Sequence, residues 1–422
     1  MSQGGVAQRP AEPDPDGEEP AGGPAPARRR RRRLLPWKHK RDLTPARRLR
    51  RKRVVRGALG VCVICAGALG WSIGQALTYP GRDSTAARLA EWARDHELGF
   101  VVNQLEDWQY RMNPPKVGGS LSREALARMK ATGPAVGPAP AHVAAKPLVA
   151  MRTAMRSLVS PALPGEGVYR TLARAHGEPI VQGTYVRPDS AHTSYEAAIA
   201  WISGKYSRFQ LHPGFREPGG TFDVPPTIPK DRRAGLVATW NGGFRVTDGG
   251  SRGGFYLDGK TAGELRDGAA SEVFYRDGSL KIGVWGRDVR MTPDVVGVRQ
   301  CLELMVDGGR VVPDIGDDSK WGVSDQGGMF VPRSGVGVTA QGDIIMVVGQ
   351  ALNAQTLAHL MQRAGAVRAM PLDMNRAWPS FMSYDGSHDP GDPKPTNLLD
   401  FEDPPDRYYV QATRDFVAVY GR

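Results

Sequence analysis

Between Gly57 and Leu77 the chain runs for 21 residues without a charge, and directly before that run 16 Lys and Arg residues stand between Arg28 and Arg56 against one acid, Asp42. About 20 apolar residues suffice for a helix to cross the hydrocarbon of a bilayer, and cationic residues beside such a span stay on the cytoplasmic side. The junction predicts a single-pass plasma-membrane protein, with residues 1–56 in the cytoplasm and everything after Leu77 outside. A cleaved signal peptide fits less well. The segment ahead of the run would be 56 residues long, and the run exceeds the usual apolar stretch of about 7–15 residues.

The net charge of +12 suits a nucleic-acid binder at first sight, but it is concentrated in the tail. Residues 1–27 hold five acids and one Arg, and the chain after Arg56 is close to neutral at +1. The tail also lacks the series of interleaved aromatics on which bases stack. The expected partner of the basic segment is therefore anionic lipid, attracted by about 1 kcal/mol per basic residue near the surface, and no nucleic acid. Cys62 and Cys65 form a C-x-x-C pair inside the span, where they act as small apolar residues. Cys301 is then the one cysteine beyond the span, a buried structural thiol, and the fold is expected to hold without a disulfide.

Periodicity divides the chain further. Residues 1–27, rich in Pro, Gly, Ala and acid, predict disorder, so 1–56 reads as a disordered, polybasic tail and 57–77 as a transmembrane helix. Ala86, Leu89, Ala90 and Ala93 recur at helical spacing, as do Phe100, Val101, Gln104, Leu105 and Trp108. Residues 78–112 thus predict a juxtamembrane stalk in two helices divided near Gly99. Residues 113–146 read as a linker with a short helical stretch near Leu121–Met129. Residues 147–422 are long enough for one domain with a sizeable core.

Hairpin signals dominate that domain. Asp277-Gly278 lies between Glu272–Tyr275 and Leu280–Trp285, a pair that supplies the positive φ of a tight turn. Asp307-Gly308-Gly309 separates a long run, Val298–Val306, from Arg310–Val312, and Gln341-Gly342 separates Gly335–Thr339 from Asp343–Val348. One helix stands out at Thr356–Ala364, with Thr356 as its cap and Gly365 as its stop. A strand, Val367–Leu372, is expected to follow. Many hairpins with few helices predict an α+β fold, a single globular domain of hairpin-rich mixed β-sheet with a few packed helices behind one N-terminal transmembrane helix.

Gly254 to Thr261 matches the Walker A pattern in form. Phe255-Tyr256-Leu257 is strand-like, however, and Asp258 would repel a phosphate, so a nucleotide loop is not expected. Trp240-Asn241-Gly242-Gly243-Phe244 ends an expected strand, Leu236–Trp240. Its glycines would let backbone approach a ligand, and with Arg252 it could cradle an anion. The acid-rich stretches Asp314–Asp318 and Asp385–Asp392 do not follow the calcium-loop pattern and read as solvated turns. No His spacing suggests a metal, and no cofactor is called for.

Taken in order, Asn241-Gly-Gly-Phe244, Val298-Arg-Gln300, Leu304 to Gly309, Pro332-Arg333-Ser334, Gly335 to Asp343, the helix Thr356–Ala364 and Leu372-Asp373 resemble the phosphodiester glycosidase family. The likeness is to the N-acetylglucosamine-1-phosphodiester alpha-N-acetylglucosaminidase type of domain and extends over about Pro161 to Tyr384, with Arg170, Pro213-Gly214 and Glu217-Pro218-Gly219 also resembling family positions. It implies a hydrolase acting on a sugar-phosphodiester bond. After Asp373 the chain departs. The family's turn there is glycine-rich with a serine, whereas this chain has Met374-Asn375-Arg376-Ala377-Trp378-Pro379-Ser380.

The chemistry is consistent with this. In an anomeric phosphodiester the leaving group is a phosphate whose second pKa is about 6. Its departure needs little protonation and benefits from a fixed cation, for which Arg333 is the candidate, with Arg252 or Arg376 helping. A carboxylate must activate water or attack the anomeric carbon. Asp373, at a strand end, suits this role first and Asp307 second. Asn241, Gly242 and Gly243 would orient the substrate. The expected substrate is a phosphate-containing glycopolymer or glycolipid of the cell envelope. The alternative on the same fold is a non-catalytic binding module in which Trp378 and Arg376 grip sugar and phosphate. An open cleft where Asp373, Arg333 and Asn241 converge would favour the enzyme, and a cleft filled by Trp378 would favour binding.

Overall fold

A computed structural model describes residues 45–131, 148–246, 253–317, 320–321 and 330–422. Of the expected disordered tail 1–56, residues 1–44 lie outside the described residues, as do the linker after Ala131 and Arg252, while residues 45–56 are helical and not disordered. The chain divides into two units, Met1–Ala66 and Gly67–Arg422. A 34-residue helix, α1 (Pro45–Thr78), runs through the boundary, and from Ala46 to Thr78 it is long and apolar enough to cross a membrane. It is exposed along most of its length.

In the second unit α2 (Thr85–Asp95) and α3 (Gly99–Met112) fall on either side of the expected break near Gly99. Ser84 caps α2, its hydroxyl accepting the Ala87 N–H. The pair is joined to the globular part. Thr413 Oγ1 donates to Asp83, and Arg82 pairs with Asp406 at 2.6 Å. The helix α4 (Arg123–Lys130) is held likewise. Leu121, Ala125 and Met129 are buried in the main core, and Arg128 reaches Glu196 and Asp400.

The fold is α+β, with three sheets among the described residues. The first has eight strands, β1 (Arg170–Ala175), β2 (Glu178–Val186), β3 (Ala197–Ile202), β14 (Ile344–Leu352), β13 (Val331–Thr339), β15 (Ala366–Met374), β11 (Val306–Asp307) and β12 (Arg310–Val311), in that spatial order. The second runs β7 (Lys260–Ala262), β6 (Phe255–Leu257), β10 (Val295–Gln300), β8 (Ala270–Tyr275) and β9 (Leu280–Val284). The third runs β17 (Lys394–Asn397), β16 (Phe381–Asp385), β5 (Leu236–Asn241), β18 (Phe416–Gly421) and β4 (Ser207–His212). Every pairing between these strands is antiparallel. The helix α5 (Ala354–Arg363) buries Leu357, Leu360 and Met361 against β13, β14 and β15. Gly335 makes room for it, since a Cβ there would lie 3.0 Å from Met361 Cε.

The three expected hairpin turns form, and Gly278, Gly308, Gly309 and Gly342 all take positive φ. Gly254–Thr261 is a hairpin as well, turning at Asp258-Gly259, and not a phosphate loop. Two expectations need correction. The cap of α5 is Asn353, whose Oδ1 accepts the Thr356 N–H at 2.7 Å, so Thr356 lies inside the first turn. The run Val298–Val306 is not one strand. It leaves the second sheet after Gln300, turns at Leu302 with φ 50°, and enters the first sheet at Val306. Cys301 N–H still bonds Ala270, while Met305 N–H already bonds Ala369. The run thus crosses between sheets with every residue buried except Glu303, which is half-buried.

Candidate functional site

Asn241 ends β5 and pairs in register with Phe416 at the start of β18, so Arg414 and Asp415 lie beside Gly242 and Gly243. The end of β15 arrives at the same place, where Asp373 N–H bonds the Gly242 carbonyl at 3.2 Å. Ser334 of β13 closes the junction, its Oγ donating to the Asp373 carbonyl at 2.9 Å and accepting from Asn241 Nδ2 at 3.1 Å. Asn241 Oδ1 accepts the Ser380 N–H at 2.9 Å, which ties the turn after Asp373 back to β5. Asp373 and Asn241 therefore converge where the first and third sheets meet.

The guanidinium beside Asp373 is that of Arg414, not Arg333. Arg414 Nη2 bonds Asp373 Oδ2, and its Nη1 lies 3.4 Å from Glu91 of α2. Met374 N–H donates to the other carboxylate oxygen at 2.8 Å. Burial pushes the Asp373 carboxyl up to about 7 against the opposing pull of Arg414. Burial also works against the Arg414 charge, but Asp373 and Glu91 outweigh it and hold that group above its ordinary range.

Arg333 is buried one residue away in β13, opposite Met374. It donates to the carbonyls of Leu352 at 3.0 Å and Trp321 at 2.8 Å. Asp307 lies elsewhere, in the β11–β12 turn, paired with Arg287 at 2.7 Å. Its strand meets β15 at Ala369, which puts it about 16 Å along the sheet from Asp373 at the ~3.3 Å rise of a strand. Arg376 is exposed near Glu402 at 3.9 Å. Trp378 is buried against Ala87 of α2, with the Arg414 guanidinium 4.6 Å from its ring centre. The cleft at Asp373 is thus closed by Trp378 and α2.

Gly242 and Gly243 serve a close approach, but to protein. A Cβ on Gly242 would lie 1.9 Å from Asp415 Oδ2, and one on Gly243 would lie 2.7 Å from the Cβ of Cys301. Asp415 forms a fully buried pair with Arg299 at 2.7 Å, and Arg299 also donates to the Phe244 and Gln300 carbonyls. Cys301 is buried beneath them, its thiol pushed up to about 12 by burial, which keeps it inert.

Glu272 completes this layer, with Trp240 Nε1 donating to its Oε1 at 3.2 Å and its Oε2 without a hydrogen-bond partner among the described residues. Burial pushes its carboxyl up to about 8. A carboxyl raised in the fold loses stability as the unfolded chain ionises first, by about 1.4 kcal/mol per pH unit between the two pKa values. The ordinary value for Glu is 4.5, so the wild type should lose stability between pH 4.5 and 8 relative to Glu272→Gln. Thermal melts of both proteins across that window should show the gap; parallel pH profiles would contradict an uncharged Glu272.

The departure after Asp373 has a structural reading. Asn375 holds φ 86°, a conformation glycine takes freely and Asn tolerates. Its Nδ2 also donates to Glu106 of α3 at 2.7 Å. Asn375→Gly should keep the turn, whereas Asn375→Val should cost about 1–2 kcal/mol, the penalty of a left-handed β-branched residue. Chemical denaturation of the two variants distinguishes these outcomes.

Arg414 and Glu91 were not among the residues expected from the sequence, and Arg299, Ser334 and Ser380 appeared only as motif letters. Among the described residues no group of three or more His, Cys, Asp or Glu side chains could hold a metal ion.

Residues 234–373 match the family model of the phosphodiester glycosidases. The match includes Asn241, Arg333 and Asp373 and ends just before the divergent turn. No curated protein matches the chain. Among solved structures the chain is similar to the catalytic domain of zebrafish N-acetylglucosamine-1-phosphodiester alpha-N-acetylglucosaminidase, auto-inhibited by its pro-peptide, at 14% identity and a TM-score of 0.39, covering 60% of this chain and 87% of that one. It is also similar to a hypothetical protein from Synechocystis, at 14% identity and a TM-score of 0.32, covering 58% and 63%.

Proposed function

We propose that this chain, whose residues 234–373 carry a phosphodiester glycosidase domain, is a membrane-anchored hydrolase that cleaves the glycosidic bond of a sugar phosphodiester on the outer face of the plasma membrane. In this reading residues 147–422, extended by the helices that pack on them, form the extracytoplasmic domain, and residues 1–56 face the cytoplasm. The observation that carries the reading is the buried pairing of Asp373 with Arg414 at the end of the family-matched stretch. It sets a carboxylate and a fixed cation side by side, as departure of a phosphate from an anomeric carbon requires. Asp373 activates water or attacks the anomeric carbon, and Arg414 meets the phosphate as negative charge gathers there. Asn241, fixed by Ser334 and Ser380, holds the geometry.

Substrate reaches Asp373 only when α2 and Trp378 move aside. Glu91 is the node that holds α2, lying 3.4 Å from both Arg94 and Arg414 and 3.5 Å from Arg245. Glu91→Ala should therefore raise kcat/KM severalfold on a small soluble substrate, because the open state becomes more populated. Steady-state kinetics checks this; a fall in kcat/KM with the melting temperature unchanged would show that Glu91 serves the chemistry.

A lipid-borne substrate is favoured over a distant polymer. Glu91 contacts Arg414, and the next residue, Trp92, donates its indole N–H to Ser72 of α1 at 2.9 Å. Ser72 lies inside the apolar run Gly57–Leu77, and these contacts support a site near the bilayer surface. The binding-module alternative draws support from the closed cleft. Against it, Trp378 is buried and presents no face to a sugar. Incubating the chain in vesicles with a lipid-linked sugar-1-phosphodiester separates the readings: free sugar supports the hydrolase, and saturable binding without release supports the module.

A further inference from the structure

We infer that α3 is a lipid-docking helix that lies in the headgroup layer on the domain's side of the membrane; this rests on the anchored reading of α1. Val101, Leu105, Trp108 and Met112 recur at i, i+4, i+7 and i+11 and so form one stripe along α3. The stripe is exposed, with Leu105 at 61%, Trp108 at 62% and Met112 at 62%, and Phe100 at 64% stands at the start of the helix. A neighbouring side of the helix does the packing. Val102 is buried there, and Glu106 receives Arg94 at 3.1 Å and Asn375 at 2.7 Å. An apolar stripe turned outward from a helix already anchored by its other face needs an occupant.

The attachment of the helix pair to α1 says which. Trp92 bonds Ser72, His96 lies 3.2 Å from Ser72, and Arg88 donates to the carbonyls of Leu77 and Tyr79. These contacts fix α2 alongside the last turns of the apolar run, and only three residues separate α3 from α2. The corner joining them is thereby held at the depth where the apolar run emerges. Trp71, 73% exposed on α1, and Trp108 are the residue type that collects at this interface. An amphipathic helix at that depth buries its apolar face about 5–10 Å into the headgroup boundary.

The test uses the full chain in nanodiscs, with Cys62 and Cys65 replaced by Ala and nitroxides placed singly at Leu105→Cys, Trp108→Cys and Asn103→Cys. Asn103 is exposed on the far side of α3. A fourth label at Ile64→Cys reports the span itself. The ratio of oxygen to water-soluble nickel-chelate accessibility should be severalfold higher at 105 and 108 than at 103. Three water-like labels on α3 beside a lipid-like label at 64 would overturn the docking while leaving the anchor standing. Labels at 105 and 108 shielded from both reagents would assign the stripe to a protein partner and also overturn it. A water-like label at 64 would remove the anchored reading, and the docking with it.

Discussion

Replacing Asp373 by Asn is expected to lower turnover by about 10²-fold or more, the loss that follows removal of a general base. The substitution keeps the shape of the side chain, and Met374 N–H retains an oxygen acceptor at the position it now bonds. Arg414 keeps Glu91 as a counter-charge, so the fold should persist and the effect should fall on kcat. The pH profile supplies a second signature. Because burial pushes Asp373 up to about 7, the reactive carboxylate forms only as pH rises through that value. The wild type should gain activity from pH 6 to 8, and the residual activity of Asp373→Asn should lose that limb. The same shift has an opposite consequence for stability: Asp373 contributes most below the ordinary aspartate value of 3.8, and that contribution is lost as pH rises to about 7. Kinetics and melts on one pH series would check both. Hydrolysis at full rate in Asp373→Asn would remove the residue from the chemistry.

Arg299→Met should be the most destabilising single change. Arg299 and Asp415 are both fully buried, and Glu272 lies close enough to feel both charges. Removing the guanidinium leaves the Asp415 carboxylate without its partner in an interior too tight to admit compensation, since even a Cβ on Gly242 would overlap it. Breaking a buried pair in this way costs about 3–5 kcal/mol. It also releases the Phe244 carbonyl, which accepts from Arg299 at 2.5 Å, so the Gly242–Phe244 segment should loosen and activity fall with stability. A double variant, Arg299→Met with Asp415→Leu, should be less destabilised than the sum of its parts, because no lone charge remains. Urea denaturation of the four proteins in the cycle measures this; additive losses would mean that the pair is not coupled.

Much of the architecture was legible because its signals are local. Asp-Gly and Gly-Gly turns marked the hairpins, helical spacing with Gly99 between divided α2 from α3, and the apolar run after the charge step lies within α1, which itself begins 12 residues earlier, at Pro45. Asp373 and Asn241 could be named as candidates because each stands at or next to a strand end in a recognisable order of motifs. Arg414 could not. It lies 41 residues beyond Asp373 in sequence, in a stretch without glycine or motif, and reaches the site only because β18 lies next to β5. Glu91 was hidden for the same reason. Helical periodicity says that a face is polar, but not that one carboxylate on it meets a guanidinium 323 residues away. The closed state of the cleft also depends on Trp378 packing against Ala87, a contact between two segments that each look ordinary. The glycines were read as places where backbone approaches a ligand, whereas the groups they approach, Asp415 and Cys301, belong to the protein.

The central claim is cleavage at the sugar carbon rather than at phosphorus. Hydrolysis of a lipid-linked sugar-1-phosphodiester by the full chain in vesicles, run in ¹⁸O-water, tests it most directly through the mass of the lipid phosphomonoester. Attack at the anomeric carbon breaks the bond between carbon and oxygen, so the account predicts a phosphomonoester with no heavy oxygen. One heavy oxygen in that product would mean that water had attacked phosphorus, and would contradict the assignment.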